Sequence, residues 1–388
     1  MPFAQGHAVL SIPGPSNFPE RVLRAMARPA PDIYGPALME CCAGAFSRLK
    51  DLAGTQANIA AYIGNGHAVW EAATANILNR GEKALVLVNG LFGSSWADMA
   101  RKLGVTVEEI TSNPGQPADP TRLTERLAMD KAGEIKAVLV CQVDTASSVR
   151  NDIPALRAAM GDHPALLAVD AIAALGCEAM QMDAWGVDVL VSSSQKGLMT
   201  PPGLGFVWFS DRARRRGDLA TPYWDWEPRI APDALWQAWG GTPPVQLIYA
   251  LEEALKLMAE EGETARLARH DAFAQAVWAA FDAWGKGTDI TLNVPAPAAR
   301  ARSVTAARLP GAGRLRDWTS THTGVTLGVA LGTRDPQNAL RIGHMGHLSA
   351  HGLLGTLAVM ETGMKALAIP HGPGGVDAAM SRLAALAG

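Results

Sequence analysis

The chain has 388 residues, with 34 lysines and arginines against 37 aspartates and glutamates, and 48% of its residues are hydrophobic. At roughly 150 residues per domain this length predicts two or three domains, and the apolar fraction excludes wholesale disorder. A formal net charge of −3 argues against a main role in binding nucleic acid or an anionic membrane surface, since both need a basic excess.

The cysteines and the amino terminus indicate where the protein works. The spacing of the cysteines fits neither a disulfide framework nor a zinc site, so we expect reduced thiols and no metal at Cys41, Cys42, Cys141 and Cys177. The first residues lack the basic start and apolar run of a secretory signal, and no apolar run reaches the length of about 18 residues that spans a membrane. We therefore expect a cytoplasmic protein without a membrane or nucleic-acid partner.

Short apolar runs alternate with helical stretches over the first half of the chain. Runs that do not alternate with polar residues are typical of strands covered on both faces, as in a parallel sheet. The predicted strands cover 59–63, 84–88, 136–141, 165–169, 187–191 and 204–209. The predicted helices cover 67–79, 94–103, 120–131 and 153–160. This order predicts an α/β domain with right-handed crossovers, in which function gathers at the carboxyl ends of the strands.

The pattern changes after about residue 245. Apolar i, i+3, i+4 spacing predicts one long helical stretch over 245–285. Further strands are predicted at 303–308, 324–330 and 339–342, and further helices at 349–366 and 374–386. We divide the chain into an amino-terminal arm over 1–18, a large domain over 19–262 and a smaller α+β domain over 263–388.

Lys196 lies between two predicted buried strands, directly after a polar Ser-Ser-Ser-Gln segment. Burial disfavours a charged amine and makes it a nucleophile towards carbonyls, whereas a solvated lysine at a loop tip is the alternative. Asp170 ends an earlier apolar strand, where it can also serve only to cap a helix. Pyridoxal phosphate needs a lysine for its aldehyde and an anion for its ring nitrogen, and these two residues supply both.

Three weaker signals accompany this pair. Gly66 and His67 follow a strand and open a helix, where backbone N–H groups favour an anion, although many such turns bind nothing. Phe92 lies in a glycine-flanked turn, where it can stack on a planar ring or belong to the core. Arg341 lies in a short apolar strand, where its fork can grip a carboxylate or form an interdomain salt bridge.

Segments along nearly the whole chain resemble the class V aminotransferases. They are SQKGLMTPPGLGF at 194–206, VDAIAALG at 169–176, GNGHAVWEA at 64–72, NGLFG at 89–93, VDTASSV at 143–149, GTPPVQLIYALEEAL at 241–255 and RIGHMG at 341–346. The chain is most similar to the branch of alanine–glyoxylate, serine–glyoxylate and pyridoxamine–pyruvate aminotransferases. The resemblance implies the fold-type I architecture of pyridoxal phosphate enzymes, with a mainly parallel central sheet, and a homodimer whose sites lie at the interface.

The resemblance also implies a role for each candidate residue. Lys196 would bond to the cofactor and move the substrate proton, Asp170 would pair with the ring nitrogen, and Arg341 would hold the substrate α-carboxylate. The resemblance further implies that the phosphate is contacted by Gly66, His67 and Gln195, and that the two ring faces are covered by Phe92 and Ile172. Thr145 would bond to the 3-hydroxyl side of the ring or to the substrate. Thr242 would reach the phosphate of the partner subunit's site.

Three positions depart from the family pattern. Tyr34 stands where many glyoxylate-using members have an arginine that reaches the other subunit's substrate pocket, which disfavours a donor with a second anionic group. Asn65 stands where the pyridoxamine–pyruvate enzyme has a glutamate that helps to recognise pyridoxamine. Trp239 replaces a tyrosine or phenylalanine that is often found three residues before Thr242.

The sequence therefore predicts transfer of an amino group from a small amino acid, of the serine or alanine type, to a 2-oxo acid such as glyoxylate or pyruvate. Pyridoxamine–pyruvate or aspartate–glyoxylate activity on the same scaffold is the alternative, and a non-catalytic pyridoxal phosphate-binding protein is a more distant one. Cysteine desulfuration is disfavoured because no cysteine follows Lys196. A nicotinamide-dependent oxidoreductase is disfavoured because its GxGxxG fingerprint is absent.

Overall fold

In the part of the chain that the structure describes, two β-sheets, of seven and five strands, and a two-stranded ribbon organise the fold. A computed structural model describes residues 3–214 and 216–387, so the first two residues of the expected arm and the last residue of the small domain lie outside it. Numbered along the chain, the strands are β1 (Val9–Ser11), β2 (Asn58–Gly64), β3 (Lys83–Val88), β4 (Thr106–Thr111), β5 (Ile135–Cys141), β6 (Val143–Asp144), β7 (Val149–Arg150), β8 (Leu166–Asp170), β9 (Val189–Ser193), β10 (Gly203–Phe209), β11 (Thr291–Leu292), β12 (Val304–Arg308), β13 (Val325–Val329) and β14 (Ala339–Gly343).

The helices cover the sheets and connect their strands. They are α1 (Glu20–Met26), α2 (Pro36–Ala53), α3 (Gly66–Ile77), α4 (Leu91–Lys102), α5 (Pro120–Met129), α6 (Ile153–Met160), α7 (Glu227–Ile230), α8 (Leu235–Trp239), α9 (Val245–Glu261), α10 (Glu263–Trp284), α11 (Ala312–Thr323), α12 (Ala350–Ala366) and α13 (Gly375–Ala387). Within the described residues, no helix combines the length and the hydropathy needed to span a bilayer.

The large sheet has the order β2-β10-β9-β8-β5-β3-β4. Only β10 runs antiparallel to its neighbours, so the predicted α/β domain with a mainly parallel sheet is confirmed. All six strands predicted for this domain are present within two residues of their predicted ends. The edge strand β4 was not predicted, because its half-exposed sequence Thr-Val-Glu-Glu-Ile-Thr is not an apolar run.

Alternate residues of the central strands enter two separate cores, one on each face of the sheet. In β8, Leu167 and Val169 pack with α2, α5 and α6, whereas Leu166 and Ala168 pack with α3 and α4. A strand that is covered on both faces needs apolar residues at every position. This explains why the strands of this domain read as continuous apolar runs.

The smaller sheet has the order β1-β13-β14-β12-β11 and packs against α10 to α13. Its edge strand β1 comes from the amino-terminal arm and pairs parallel with β13, Val9 opposite Val325. The single helix expected over 245–285 is two helices. Gly262, with φ +78°, separates α9 from α10 in a conformation that L-residues rarely adopt.

Candidate active site

The candidate catalytic residues lie at the carboxyl edge of the large sheet. Asp170 is the last residue of β8 and lies opposite Cys141, the last residue of β5. Lys196 follows the end of the adjacent strand β9 by three residues. Parallel strands that end together bring their following loops to one edge, so the topology joins two residues that the sequence separates.

The amino-terminal arm lies over Lys196. Two hydrogen bonds from Ser16 hold the arm there. Its backbone N–H donates to the Gln195 carbonyl at 2.9 Å, and its Oγ donates to the Lys196 carbonyl at 2.7 Å. The Lys196 amine donates to the carbonyl oxygen of Pro13. A Cβ atom at Gly14, where φ is +107°, would lie 2.5 Å from the Lys196 Nζ. The sequence analysis did not predict this contact, although the Pro-Gly-Pro segment at 13–15 was a visible signal of an unusual backbone conformation.

Burial makes Lys196 a weak base. Burial and, after it, the positive charge of Arg341 lower the pKa of the amine to about 8, although the negative charge of Asp170 acts against both. A substantial fraction of the amine is therefore neutral near physiological pH. The neutral amine is the form that attacks a carbonyl, so this environment suits the nucleophilic role that the sequence predicts for Lys196.

Three donors surround the buried Asp170 carboxyl group. The Ile172 backbone N–H donates to Oδ1 at 2.6 Å, and Oδ2 accepts from the Trp70 indole at 3.0 Å and from the Cys141 thiol at 3.5 Å. Burial raises the pKa of Asp170 to about 7, whereas these hydrogen bonds lower it. The carboxyl group is thus poised between its two charge states, and a cationic ring nitrogen would favour the anion.

A helix amino terminus faces the same edge. Helix α3 begins at Gly66, and the Asn65 side chain caps it by accepting the N–H groups of His67 at 3.1 Å and Ala68 at 3.4 Å. A Cβ atom at Gly66 would lie 2.6 Å from the Cδ1 atom of Ile172. Glycine at this position therefore lets the loop after Asp170 pack against the start of the helix. The imidazole of His67 is exposed.

A buried carboxylate, Asp144, holds the turn that carries Phe92. Its Oδ2 accepts the backbone N–H groups of Phe92 at 2.8 Å and Gly93 at 3.2 Å, and its Oδ1 accepts those of Ala146 and Ser147. A Cβ atom at Gly90 would overlap the carboxyl group. Asp144 thereby fixes the half-buried Phe92 relative to the loop that contains Thr145. Sequence reasoning missed Asp144, although it directly precedes Thr145.

Arg341 joins the small domain to this cluster. It lies in β14 with only 8% of its surface exposed. Its Nε donates to the Val329 carbonyl at 2.8 Å, and its Nη1 donates to the Thr145 carbonyl at 2.8 Å. Burial lowers the pKa of Arg341 to about 10, with the charge of Asp144 acting against that change. The guanidinium therefore stays charged at neutral pH, as a carboxylate clamp requires.

The remaining predicted residues divide into two groups. Ile172 and Thr145 are buried at the cluster, and Gln195 carries an Oε1 that is buried without a hydrogen-bond partner among the described residues. Tyr34, three quarters exposed, and Thr242, also exposed, make no hydrogen bond to the cluster in the described part of the chain. Their expected role in the partner's site stays a prediction.

The residues present fit pyridoxal phosphate. The buried amine of Lys196 suits an aldehyde, the Asp170 carboxylate suits a protonated ring nitrogen, and the start of α3 suits a phosphate. The orphaned Gln195 oxygen adds an unsatisfied polar atom beside the lysine. Across the described residues, no three His, Cys, Asp or Glu side chains are grouped to hold a metal ion. Fold and site together define a fold-type I pyridoxal phosphate enzyme.

Comparison with known proteins narrows this class. The family model for aminotransferase class-V matches residues 53–315. A serine–glyoxylate aminotransferase of Methylorubrum extorquens is 35% identical over 97% of this chain and 96% of its own. An L-aspartate–glyoxylate aminotransferase of Paracoccus denitrificans is 37% identical over 92% of this chain and 91% of its own. The crystal structure of pyridoxamine–pyruvate aminotransferase from Mesorhizobium loti is 25% identical, with a TM-score of 0.90 over 99% of this chain and 100% of its own.

The chain belongs to the class V aminotransferases. It is a pyridoxal 5'-phosphate-dependent aminotransferase, as its sequence predicted.

Proposed function

We propose that this aminotransferase moves the amino group of a small amino acid, of the serine or alanine type, to glyoxylate or pyruvate. The observation that carries the proposal is the joint placement of Lys196, Asp170 and Arg341 in one buried site, where the charges of Asp170 and Arg341 both act on the Lys196 amine. The similarity to a serine–glyoxylate aminotransferase supports the donor and the acceptor. The single arginine clamp supports a substrate whose anionic group is its α-carboxylate.

The residues divide the work of amino transfer. When bound, the cofactor supplies an aldehyde that links to amines and a ring that withdraws electrons from the carbon beside the amino group. The Lys196 Nζ, neutral above a pKa of about 8, would accept the proton of that carbon and deliver it to the cofactor carbon on the other side of the amino nitrogen. Arg341 orients the substrate by its carboxylate, and Asp170 keeps a negative charge at the ring nitrogen.

We infer a homodimer in which Tyr34 and Thr242 complete the site of the other protomer. Tyr34 is 75% exposed on the short segment before α2, and Trp236, close to Thr242, is 48% exposed. Large apolar groups that a single chain leaves exposed support burial against a second copy. Sedimentation should give twice the mass of one chain, and Tyr34→Ala should lower activity; a fully active monomer would contradict the inference.

We also propose that the protein works in the reducing cytoplasm. All four cysteines lie in the described part of the chain and are free thiols, three of them buried. Free buried thiols are typical of reducing compartments. Fractionation of the cells that produce the protein tests this point.

A second candidate is transfer from aspartate to glyoxylate. The 37% identity to an L-aspartate–glyoxylate aminotransferase favours it. Tyr34, which stands where an arginine would meet a second carboxylate, disfavours it. Pyridoxamine–pyruvate activity has the same fold in its favour, but Asn65 is engaged in capping α3 and offers no carboxylate.

A donor panel tests these assignments. Serine, alanine, aspartate and pyridoxamine are each paired with glyoxylate and with pyruvate, while the visible absorption of the bound cofactor is followed. We expect serine or alanine with glyoxylate or pyruvate to give the highest kcat/KM. Aspartate as the best donor would establish the second candidate. A chromophore that no donor changes would contradict amino transfer and leave the non-catalytic binding protein.

A further inference from the structure

Trp70 is a buried side chain beside the active site with no role in the proposed transfer of the amino group. It lies on α3 with 1% of its surface exposed. Its indole N–H donates to the Asp170 Oδ2 across 3.0 Å, although the two residues are far apart in the sequence. Core packing alone does not require the indole N–H of a buried tryptophan to donate to the carboxylate of the candidate active site.

The rings around Trp70 fix its position. Its indole stacks on that of Trp96, with centroids 5.8 Å apart and planes 8° apart. Its edge meets Phe92 at 6.2 Å and the imidazole of His67 at 4.8 Å. Trp70 thus touches the residue expected to cover the cofactor ring and the first turn of the helix expected to face the phosphate.

The two oxygens of Asp170 have unequal support. Oδ1 accepts a backbone N–H from Ile172, two residues along the chain, at 2.6 Å. Oδ2 depends on side chains, namely the Trp70 indole and the weakly donating thiol of Cys141 at 3.5 Å. Loss of the indole N–H would leave Oδ2 of the cofactor-free protein with one weak donor, and Asp170 is only 3% exposed.

We propose that Trp70 is a positioning residue for Asp170, whose indole N–H fixes the carboxylate and keeps it anionic for the ring nitrogen of the cofactor. Its packing against Phe92 and His67 couples this carboxylate to the ring-covering and phosphate-facing parts of the site. The burial that raises the pKa of Asp170 also strengthens each hydrogen bond to its anion, because the local dielectric is low. The proposal depends on the cofactor and not on which amino donor is used.

Paired variants test this role. Trp70→Phe keeps an aromatic ring and removes the N–H. Trp96→Phe is the matched control, because its ring stacks on Trp70 but its N–H donates to Thr74. The first readout is the dissociation constant of pyridoxal phosphate from the full chain, measured by visible absorption. The second, without cofactor, is the infrared carbonyl band of the protonated Asp170 carboxyl, identified by its loss in Asp170→Asn.

We expect Trp70→Phe to weaken cofactor binding roughly tenfold or more, since hydrogen bonds to charged groups are strong. The infrared band should persist to a pH about one unit higher than in the wild type. Trp96→Phe should change neither quantity by more than about twofold or a few tenths of a pH unit. Equal effects of the two variants, or an unchanged infrared titration in Trp70→Phe, would overturn the proposal, because packing alone would then explain Trp70.

A spectroscopic measurement keeps the proposal testable if Trp70→Phe does not fold. In the ¹⁵N-indole spectrum of the full chain, Asp170→Asn should shift one N–H resonance strongly, while the Trp96 resonance, assigned by Trp96→Phe, stays in place. The chain has 11 tryptophans, so such a spectrum is simple. Superimposable indole resonances in the wild type and Asp170→Asn would contradict the proposed hydrogen bond. A donor panel that failed would leave both readouts intact, so this test is independent of the substrate assignment.

Discussion

The two sides of the active site carry charge in different ways. On the large-domain side, burial brings the pKa of Lys196 down to about 8 and that of Asp170 up to about 7, so both groups can change charge near neutral pH. On the small-domain side, Arg341 keeps its charge, because even its lowered pKa is about 10. The groups proposed to move or balance protons can change charge near neutral pH, whereas the group proposed to hold a carboxylate is permanently ionised.

The hydrogen bonds that hold these three groups also differ between the two sides. Asp170 is held by three donors that favour its anion, and the Lys196 amine is held by one carbonyl of the arm, Pro13. Arg341 is held by two backbone carbonyls, one from each domain. Movement of the small domain would therefore change the position of Arg341 but not its charge. Variants of Lys196, Asp170 and Arg341 separate these two behaviours.

Removal of the Lys196 amine should have the largest effect. Lys196→Ala should lower kcat by at least about a thousandfold, since it removes both the nucleophile and the proton carrier. Cofactor binding should survive without the covalent link, so absorption spectra and kcat are measured together. Lys256→Ala, on the exposed side of α9, is the control and should retain activity. Wild-type turnover by Lys196→Ala would refute the assignment of this residue.

Asp170 should make the stability of the cofactor-free protein depend on pH. Its folded-state pKa of about 7 lies above the usual value near 3.9, so the folded chain binds the proton more tightly and its stability falls as pH rises from about 4 to 7. At about 1.36 kcal/mol per pH unit, this contribution reaches about 4 kcal/mol. Relative to the wild type, Asp170→Asn should gain stability over that range in denaturant unfolding.

The control for this comparison is Asp51→Asn, which changes an exposed carboxyl group on α2. Any pH dependence that this surface change shows is subtracted from that of Asp170→Asn. A remaining difference for Asp170→Asn that stays constant between pH 4 and pH 7 would show that the carboxyl group of Asp170 titrates in its ordinary range in the folded protein.

Arg341 tests the permanently charged side. Arg341→Ala should lower kcat/KM at least roughly thirtyfold, which corresponds to a loss of about 2 kcal/mol in transition-state stabilisation, because a buried charge-assisted contact to the substrate is lost. Arg341→Lys should recover only part of the loss, since an ammonium lacks the planar fork. Steady-state kinetics with the best donor give both values, and Arg314→Ala, an exposed change on α11, should leave them unchanged. An unaltered kcat/KM for Arg341→Ala would show that another residue holds the carboxylate.

Gly14 tests the arm over Lys196, with the smallest expected effect. Gly14→Ala would place a Cβ atom 2.5 Å from the Lys196 Nζ, so the arm or the lysine must move. We expect the rate of cofactor binding to fall by roughly tenfold, with a loss of about 1–2 kcal/mol in stability from the positive φ. Gly6→Ala is the matched control, since Gly6 also has a positive φ but nothing within 4 Å. Equal rates in the two variants would mean that the contact with Lys196 has no effect on binding.

Much of the large domain follows from the sequence, because its strands are buried on both faces. Continuous apolar runs mark β8 and β9, and the rule that function gathers at carboxyl strand ends places Asp170 and Lys196 together. Edge strand β4 escaped prediction because one side of it meets solvent. The break at Gly262 escaped because apolar spacing continues through it, although a glycine at that position was a visible signal.

The contacts that set charge could not be predicted in the same way. The arm reaches Lys196 because β1 pairs with β13, and no local pattern specifies a partner so distant in the chain. Trp70 lies on a helix that is buried around most of its surface, so periodicity does not reveal that its N–H ends on Asp170. The pKa values follow from burial by several elements at once, which only the folded chain defines.

The proposed chemistry depends most on Lys196 being a buried amine that loses its proton near neutral pH. The direct measurement is the rate at which the cofactor-free protein takes up pyridoxal phosphate covalently, followed by absorption between pH 6 and pH 11. Because the neutral amine reacts, the rate should rise with pH and level off above an inflection near 8. A rate that keeps rising to an inflection near 10.5, the value of an ordinary lysine, would contradict the account.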